Sequence, residues 1–148
     1  RDRVSSGGTA GYCVVSVPAD SEYSIYYIQA ILGSTQGEWL ASLYGEIFRG
    51  GYIARGTKVL NQIPIREIDF ANLDERNIHD DIANRQKQII ELGDKIGKAT
   101  KNRRNLVPLQ RQFNSLRQEQ QNAINNLYGM TNDEVSLIPK IKELYATD

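Results

Sequence analysis

The chain is poor in the residues that carry chemistry. Its 148 residues include one histidine, His79, and one cysteine, Cys13. A metal site needs clustered His, Cys or carboxylate ligands, which this pair cannot supply. Asp80 and Asp81 beside His79 read instead as an exposed helix start, with acids near the positive end of the helix dipole. One cysteine excludes an internal disulfide framework, so a reducing, cytoplasmic setting is expected. Within Tyr12-Cys13-Val14-Val15 the thiol reads as buried and inert rather than as a nucleophile. No apolar run approaches the ~18 residues of a membrane span, and no signal-peptide pattern opens the chain. The glycine pairs at 7–8 and 50–51 lack the spacing of a phosphate-binding loop. No Ser/His/Asp set is present beyond chance. The expectation is a chain that is not an enzyme by itself, with no cofactor of its own. Its opening, Arg1-Asp2-Arg3-Val4, has no initiator Met and reads as mid-protein sequence, as in an excised domain.

Charge of one sign is also missing overall. Lys plus Arg and Asp plus Glu each number 18, so the formal net charge is zero. That argues against indiscriminate nucleic-acid binding but not against a local basic surface. Between Arg85 and Arg117 there are nine basic residues and only two acidic ones, Glu91 and Asp94.

What is there divides into two regions. Residues 1–70 read as α+β and residues 71–148 as a helical support. Tyr12 to Pro18 is rich in β-branched residues and reads as a strand. Ser24 to Gly33 has helical apolar spacing, with Asp20 or Ser21 as its cap and Gly33 as its stop. A second short helix fits Thr35 to Tyr44, with Trp39, Leu40 and Leu43 on one face. Gly45 to Lys58 reads as a loop or hairpin. Val59 to Ile65 reads as an edge strand or strand end, because Pro64 cannot donate to a central ladder.

From residue 72 the pattern is helical. Ile78, Ile82, Ile89, Leu92 and Ile96 make one stripe. Leu106, Leu109, Phe113, Leu116, Gln120, either Ala123 or Ile124, and Leu127 make a second. The polar run Gly97 to Asn105 separates them, and Pro108 suits the first turn of the next helix. An antiparallel helical hairpin is the simplest arrangement, with a dimerising coiled coil as the lesser alternative. Gly129 suits a helix end. Thr131 to Glu134 matches a capping box that starts a last helix running to Leu144, kinked or split by Pro139.

These segments resemble a known family. Tyr26-Tyr27-Ile28-Gln29-Ala30-Ile31-Leu32-Gly33-Ser34, Leu60-Asn61-Gln62-Ile63-Pro64-Ile65-Arg66, Asn77 to Ile82, and Ile124 to Glu134 (with Leu127-Tyr128-Gly129-Met130-Thr131 at its centre) occur in order. Together they resemble the TaqI-like C-terminal specificity, or target-recognition, domains of type IIG restriction-modification enzymes and adenine-specific DNA methyltransferases. The resemblance runs from about Ser5 to Leu137. It departs at Gly33, where the family prefers asparagine, and at Arg66, where a second proline is common. It implies a module that reads double-stranded DNA for an upstream methyltransferase domain of the same protein. That domain's Asn-Pro-Pro-Tyr/Phe motif and methyl-donor loop are absent here, and S-adenosylmethionine is implied for the parent only.

Base readout needs Arg, Lys, Asn or Gln on a presented loop, and phosphate contacts need basic groups around it. Arg49, Tyr52, Arg55 and Lys58 are candidate DNA contacts on the Gly45–Lys58 loop. Ser5, Ser6 and Thr9, near Arg3, form a second candidate loop. Arg49 and Arg55 are also open to a bland reading, solvated or paired with Glu46 and Glu67. Lys101, Arg103 and Arg104 sit in a basic stretch that either holds phosphates at a hairpin tip or is simply a solvated loop. The rival reading of the whole chain is a helical interaction or spacer module, like that of type I restriction specificity subunits.

Overall fold

The computed structural model describes residues 3–4, 11–12, 14–45, 47–48, 52–53, 56–101 and 106–138, with the backbone alone described at 3, 4, 11, 12, 47, 48, 52, 53 and 101. Among these residues the fold is helical, which corrects the α+β expectation. Six helices follow in order: α1 (Ile25–Leu32), α2 (Thr35–Tyr44), α3 (Thr57–Leu60), α4 (Leu73–Lys101), α5 (Val107–Leu127) and α6 (Asn132–Ser136). The strand pairings are two isolated ribbons with two residues per strand: β1 (Arg3–Val4) against β2 (Gly11–Tyr12), and β3 (Ile47–Phe48) against β4 (Tyr52–Ile53). Neither grows into a larger sheet.

Of the expected strand from Tyr12 to Pro18 only Tyr12 lies in a described ribbon, in β2, and the run from Val59 forms no strand. Val14 to Pro18 is irregular and Val14 is 62% exposed, so β-branched composition there found no partner strand. The run from Val59 begins inside helix α3 and then continues without regular structure from Ile63 to Asp69. Its backbone groups are taken by side chains, as described below.

α4 and α5 form the antiparallel hairpin, and α1 lies across α4. At 29 residues α4 is about 44 Å long. Asn72 opens it, its side-chain oxygen accepting from the backbone N–H of Asp74 (2.9 Å) and Glu75 (3.3 Å). The expected break at Gly97 does not occur, since α4 runs on to Lys101 with Ala99 still buried. Pro108 sits in the first turn of α5. Gly129 follows the C-cap of α5 with φ 63°, a left-handed conformation that glycine adopts without steric cost. The capping box is present: Thr131 Oγ1 accepts from Glu134 N–H, and the Glu134 carboxylate accepts from Thr131 N–H at 2.7 Å. α6 spans Asn132–Ser136, and the rest of the expected helix, from Pro139 to Leu144, lies outside the described residues. Ile138 precedes Pro139, and a residue before proline is pushed out of the helical region.

The core joins the two halves of the sequence. Tyr27, Ala30 and Ile31 of α1 meet Ile68, then Ile82 and Ala83 of α4, and Ile124 of α5. A smaller cluster of Ala41, Val59 and Ile63 ties α2 to α3. Ile78, expected in the apolar stripe, is 45% exposed. The inward positions of α2 are Gln36, Gly37, Ala41 and Ser42, whereas Leu43, expected on its apolar face, is 56% exposed. The cause is close packing: a Cβ at Gly37 would press on the Ile31 carbonyl and lie 2.8 Å from that of Leu32. Gly37 therefore faces the end of α1.

Candidate nucleic-acid interface

The sequence-predicted contacts fall mostly outside the described residues. Arg49, Arg55, Ser5, Ser6, Thr9, Arg103 and Arg104 are among those outside. The backbone of Tyr52 lies in β4, paired with Phe48 of β3, and the backbone of Lys101 is the last residue of α4. Lys58 is exposed on α3. Cys13 likewise lies outside the described residues.

The motifs that carried the resemblance, by contrast, meet in space. The segment Pro64 to Ile68 is held by three tyrosine hydroxyls from distant points in the chain. Tyr128, the C-cap of α5, donates to the Pro64 carbonyl at 2.6 Å and accepts from Arg66 N–H at 3.2 Å. Tyr27 of α1 donates to the Arg66 carbonyl at 2.9 Å. Tyr23, just ahead of α1, accepts from Ile68 N–H at 2.8 Å. Backbone groups that a strand ladder would have satisfied are satisfied by phenols instead. Burial raises the pKa of Tyr27 well above its ordinary value, with neighbouring Tyr128 and Tyr23 adding to it. Burial also raises that of Tyr128, opposed by its backbone hydrogen bond at Arg66.

His79 is part of the same assembly. It is 2% exposed, which corrects the reading of an exposed helix start. Its Nε2 accepts from Ser24 N–H at 3.0 Å, and its Nδ1 lies 2.8 Å from Asp80 Oδ1. An Nε2 that accepts from an amide carries no proton, so Nδ1 is the donor to Asp80. Tyr23, Tyr27 and Phe70 surround the ring at 4.8 to 5.9 Å between centroids. Ser24, held in this way, is the N-cap of α1, in place of the expected Asp20 or Ser21. His79 is thus a structural connector between α1 and α4. Among the described residues no cluster of His, Cys, Asp or Glu is suited to a metal.

A second polar link joins α2 to α5. Gln36 Nε2 donates to Asn125 Oδ1 at 2.6 Å, and Gln121 Nε2 bridges Gln36 Oε1 and Asn125 Oδ1, both at 2.8 Å. Gln121 Oε1 in turn accepts from Thr35 N–H at 2.9 Å, at the start of α2. Gln120, expected as a stripe position, is buried and donates to the Ile82 carbonyl at 2.8 Å, with Arg85 donating to its Oε1. Spacing alone did not reveal these tyrosines and amides. The available signal was a Tyr or Gln at an inward position of an otherwise apolar stripe.

The connection from β2 into α1 contains no glycine between Tyr12 and Ser24, and α3, which follows β4, is a single turn. Neither makes a glycine-rich cradle opening a long helix. Among the described residues no helix is long and apolar enough to cross a membrane.

No protein-family model matches the chain, and no solved structure does. The chain is similar to part of a restriction enzyme joined to a methyltransferase, a similarity consistent with a specificity domain of a type IIG enzyme. That relative is the Type II restriction enzyme and methyltransferase RM.Eco57I of Escherichia coli, 43% identical over 145 residues. The match covers 98% of this chain, and the chain spans 14% of the length of that protein.

Proposed function

We propose that this chain is the DNA target-recognition part of a restriction-modification adenine methyltransferase. It positions a short duplex sequence so that a separate catalytic domain acts on the adenine, with S-adenosylmethionine bound by that domain and no catalysis by this chain itself. The observation that carries this reading is the 43% identity to a restriction enzyme and methyltransferase along almost the whole chain. The mutual contacts of the specificity-domain motifs support it. Reading is assigned to the stretch from Arg49 to Lys58, which follows α2 and ends in α3, and support to the α4–α5 hairpin.

The test is duplex binding by the intact protein that carries this chain, with Arg49, Arg55 and Lys58 changed together to alanine. Affinity for the recognition sequence should fall, and its advantage over a scrambled duplex should shrink. Each lost phosphate contact should also flatten the salt dependence by about 0.9 in log–log slope. Unchanged affinity and slope would remove the loop assignment. A stable dimer through residues 77–128 with no affinity for any duplex would favour the spacer-module reading instead, a reading that the long hairpin accommodates.

A further inference from the structure

Next to the motif core lies a concave surface that the reading stretch does not include. The end of α1, α4 and α5 enclose a groove of about 190 Å³, floored by Ala30, Ile89 and Ile124 and edged by Gln86, Arg117 and Gln121. The polar groups along it are unequally committed. Gln121 is spent on Thr35, Gln36 and Asn125. Two groups keep donors open. Arg117 is exposed, stands 5.8 Å over the Phe113 ring and makes no ion pair among the described residues. Gln86 uses only its Oε1, in a 3.4 Å bond from Gln120, leaving its Nε2 donors without a partner among the described residues.

The groove has no carboxylate in its lining. The one acid of α5, Glu119, follows Arg117 by two residues and so lies about 200° around the helix. There it faces Arg85 at 3.9 Å and Ser115 at 3.0 Å. Arg85, by contrast with Arg117, is held by Asp81 at 2.6 Å. A guanidinium and an amide NH₂ facing a concave wall with no acid select an anion, and a tetrahedral oxyanion suits the planar donor fork of arginine.

We infer that this groove is a second DNA-backbone site, in which Arg117 and Gln86 hold a phosphate of the duplex. The inference rests on the DNA-reading function proposed above. A contact of this kind anchors the duplex and carries no sequence information.

The test uses the intact protein with Arg117→Gln, Arg117→Lys and Gln86→Glu, each checked for a native melting temperature. Binding to the recognition duplex and to a scrambled duplex is followed across a salt series. Arg117→Gln should weaken both duplexes by the same factor and lower the log–log salt slope by about 0.9. Arg117→Lys should keep the slope, and Gln86→Glu should weaken both duplexes. DNA should also shield Arg117 from phenylglyoxal. An unchanged slope in folded Arg117→Gln protein overturns the inference, as does shielding by inorganic phosphate but not by DNA. If the loop triple variant loses affinity while the Arg117 variants do not, the groove assignment alone falls. If the intact protein binds no duplex, the DNA-reading function falls and takes this inference with it.

Discussion

Removing the Tyr27 and Tyr128 hydroxyls tests whether the specificity motifs form one physical unit. Both act on the same residue: Tyr27 donates to the Arg66 carbonyl, and Tyr128 accepts from the Arg66 N–H while donating to that of Pro64. Tyr27→Phe removes one hydrogen bond from a side chain that is 0% exposed, so a loss of about 1 to 1.5 kcal/mol is expected. Tyr128→Phe removes two, but water reaches that side, so about 1 kcal/mol in total is expected there. Once either hydroxyl is gone the segment 64–68 is less restrained, and the second loss should cost less. The double variant should fall short of the sum by about 0.5 kcal/mol or more, as for residues sharing one network. Urea unfolding measures all three, and each 1 kcal/mol should lower Tm by roughly 2–4 °C in a domain of this size. Tyr26→Phe is the control, because the Tyr26 hydroxyl makes no hydrogen bond among the described residues. Losses that add within about 0.3 kcal/mol, or a neutral Tyr27→Phe, would refute the shared clamp.

Two further outcomes follow from the packing and the phenols. Gly37→Ala gains up to about 1 kcal/mol of helix propensity. The new Cβ would nevertheless press on two backbone carbonyls that cannot swing aside, and overpacking of that kind costs about 1–3 kcal/mol or more. A lowered Tm is expected, and an unchanged or raised one would refute the close approach of α1 and α2. Stability should also decline at alkaline pH. Folded Tyr27 and Tyr128 hold their protons above their ordinary value of 10.0, whereas the unfolded chain gives them up there. Their contribution is full below pH 10 and is lost as pH rises through the folded values, so urea midpoints should be level up to that pH and fall above it. A decline no shallower in Tyr27→Phe would rule out Tyr27 as a source.

Local chemistry was legible in the sequence, and side-chain pairing across long separations was not. The limits of α2, the placement of Pro108, the Gly129 stop and the capping box at Thr131 each depend on residues within a few positions of one another. The inward face of α2 was misread because hydrophobicity put Leu43 inside, whereas the approach of α1 demanded Gly37 and the packing of Val59 and Ile63 took Ala41. The segment after Val59 was misread because the partners of its backbone are hydroxyls 39 to 64 residues away. His79 looked exposed beside two acids, yet its partner Ser24 lies 55 residues earlier. Of the site, the motif ends were legible and converge, while most of the proposed DNA contacts lie outside the described residues.

The clamp bears on how the proposed reading stretch is joined to its support. The stretch from Gly45 to Gly56 leaves the end of α2 and returns at α3. The start of α2 is tied to α5 through Gln36, Gln121 and Asn125. α3 is tied back to α2 by Val59 against Ala41, and the chain after it is pinned to α1 and α5 by the tyrosines. Both anchors of the stretch are therefore set by contacts to the hairpin core, and none of those contacts uses a residue between Gly45 and Gly56. Closing a segment whose ends are already held adds little entropy cost when its length or sequence changes, since that cost grows only slowly with length. The frame can then stay constant while the residues between its anchors vary. Such a division suits a module whose task is to present different DNA preferences from one support.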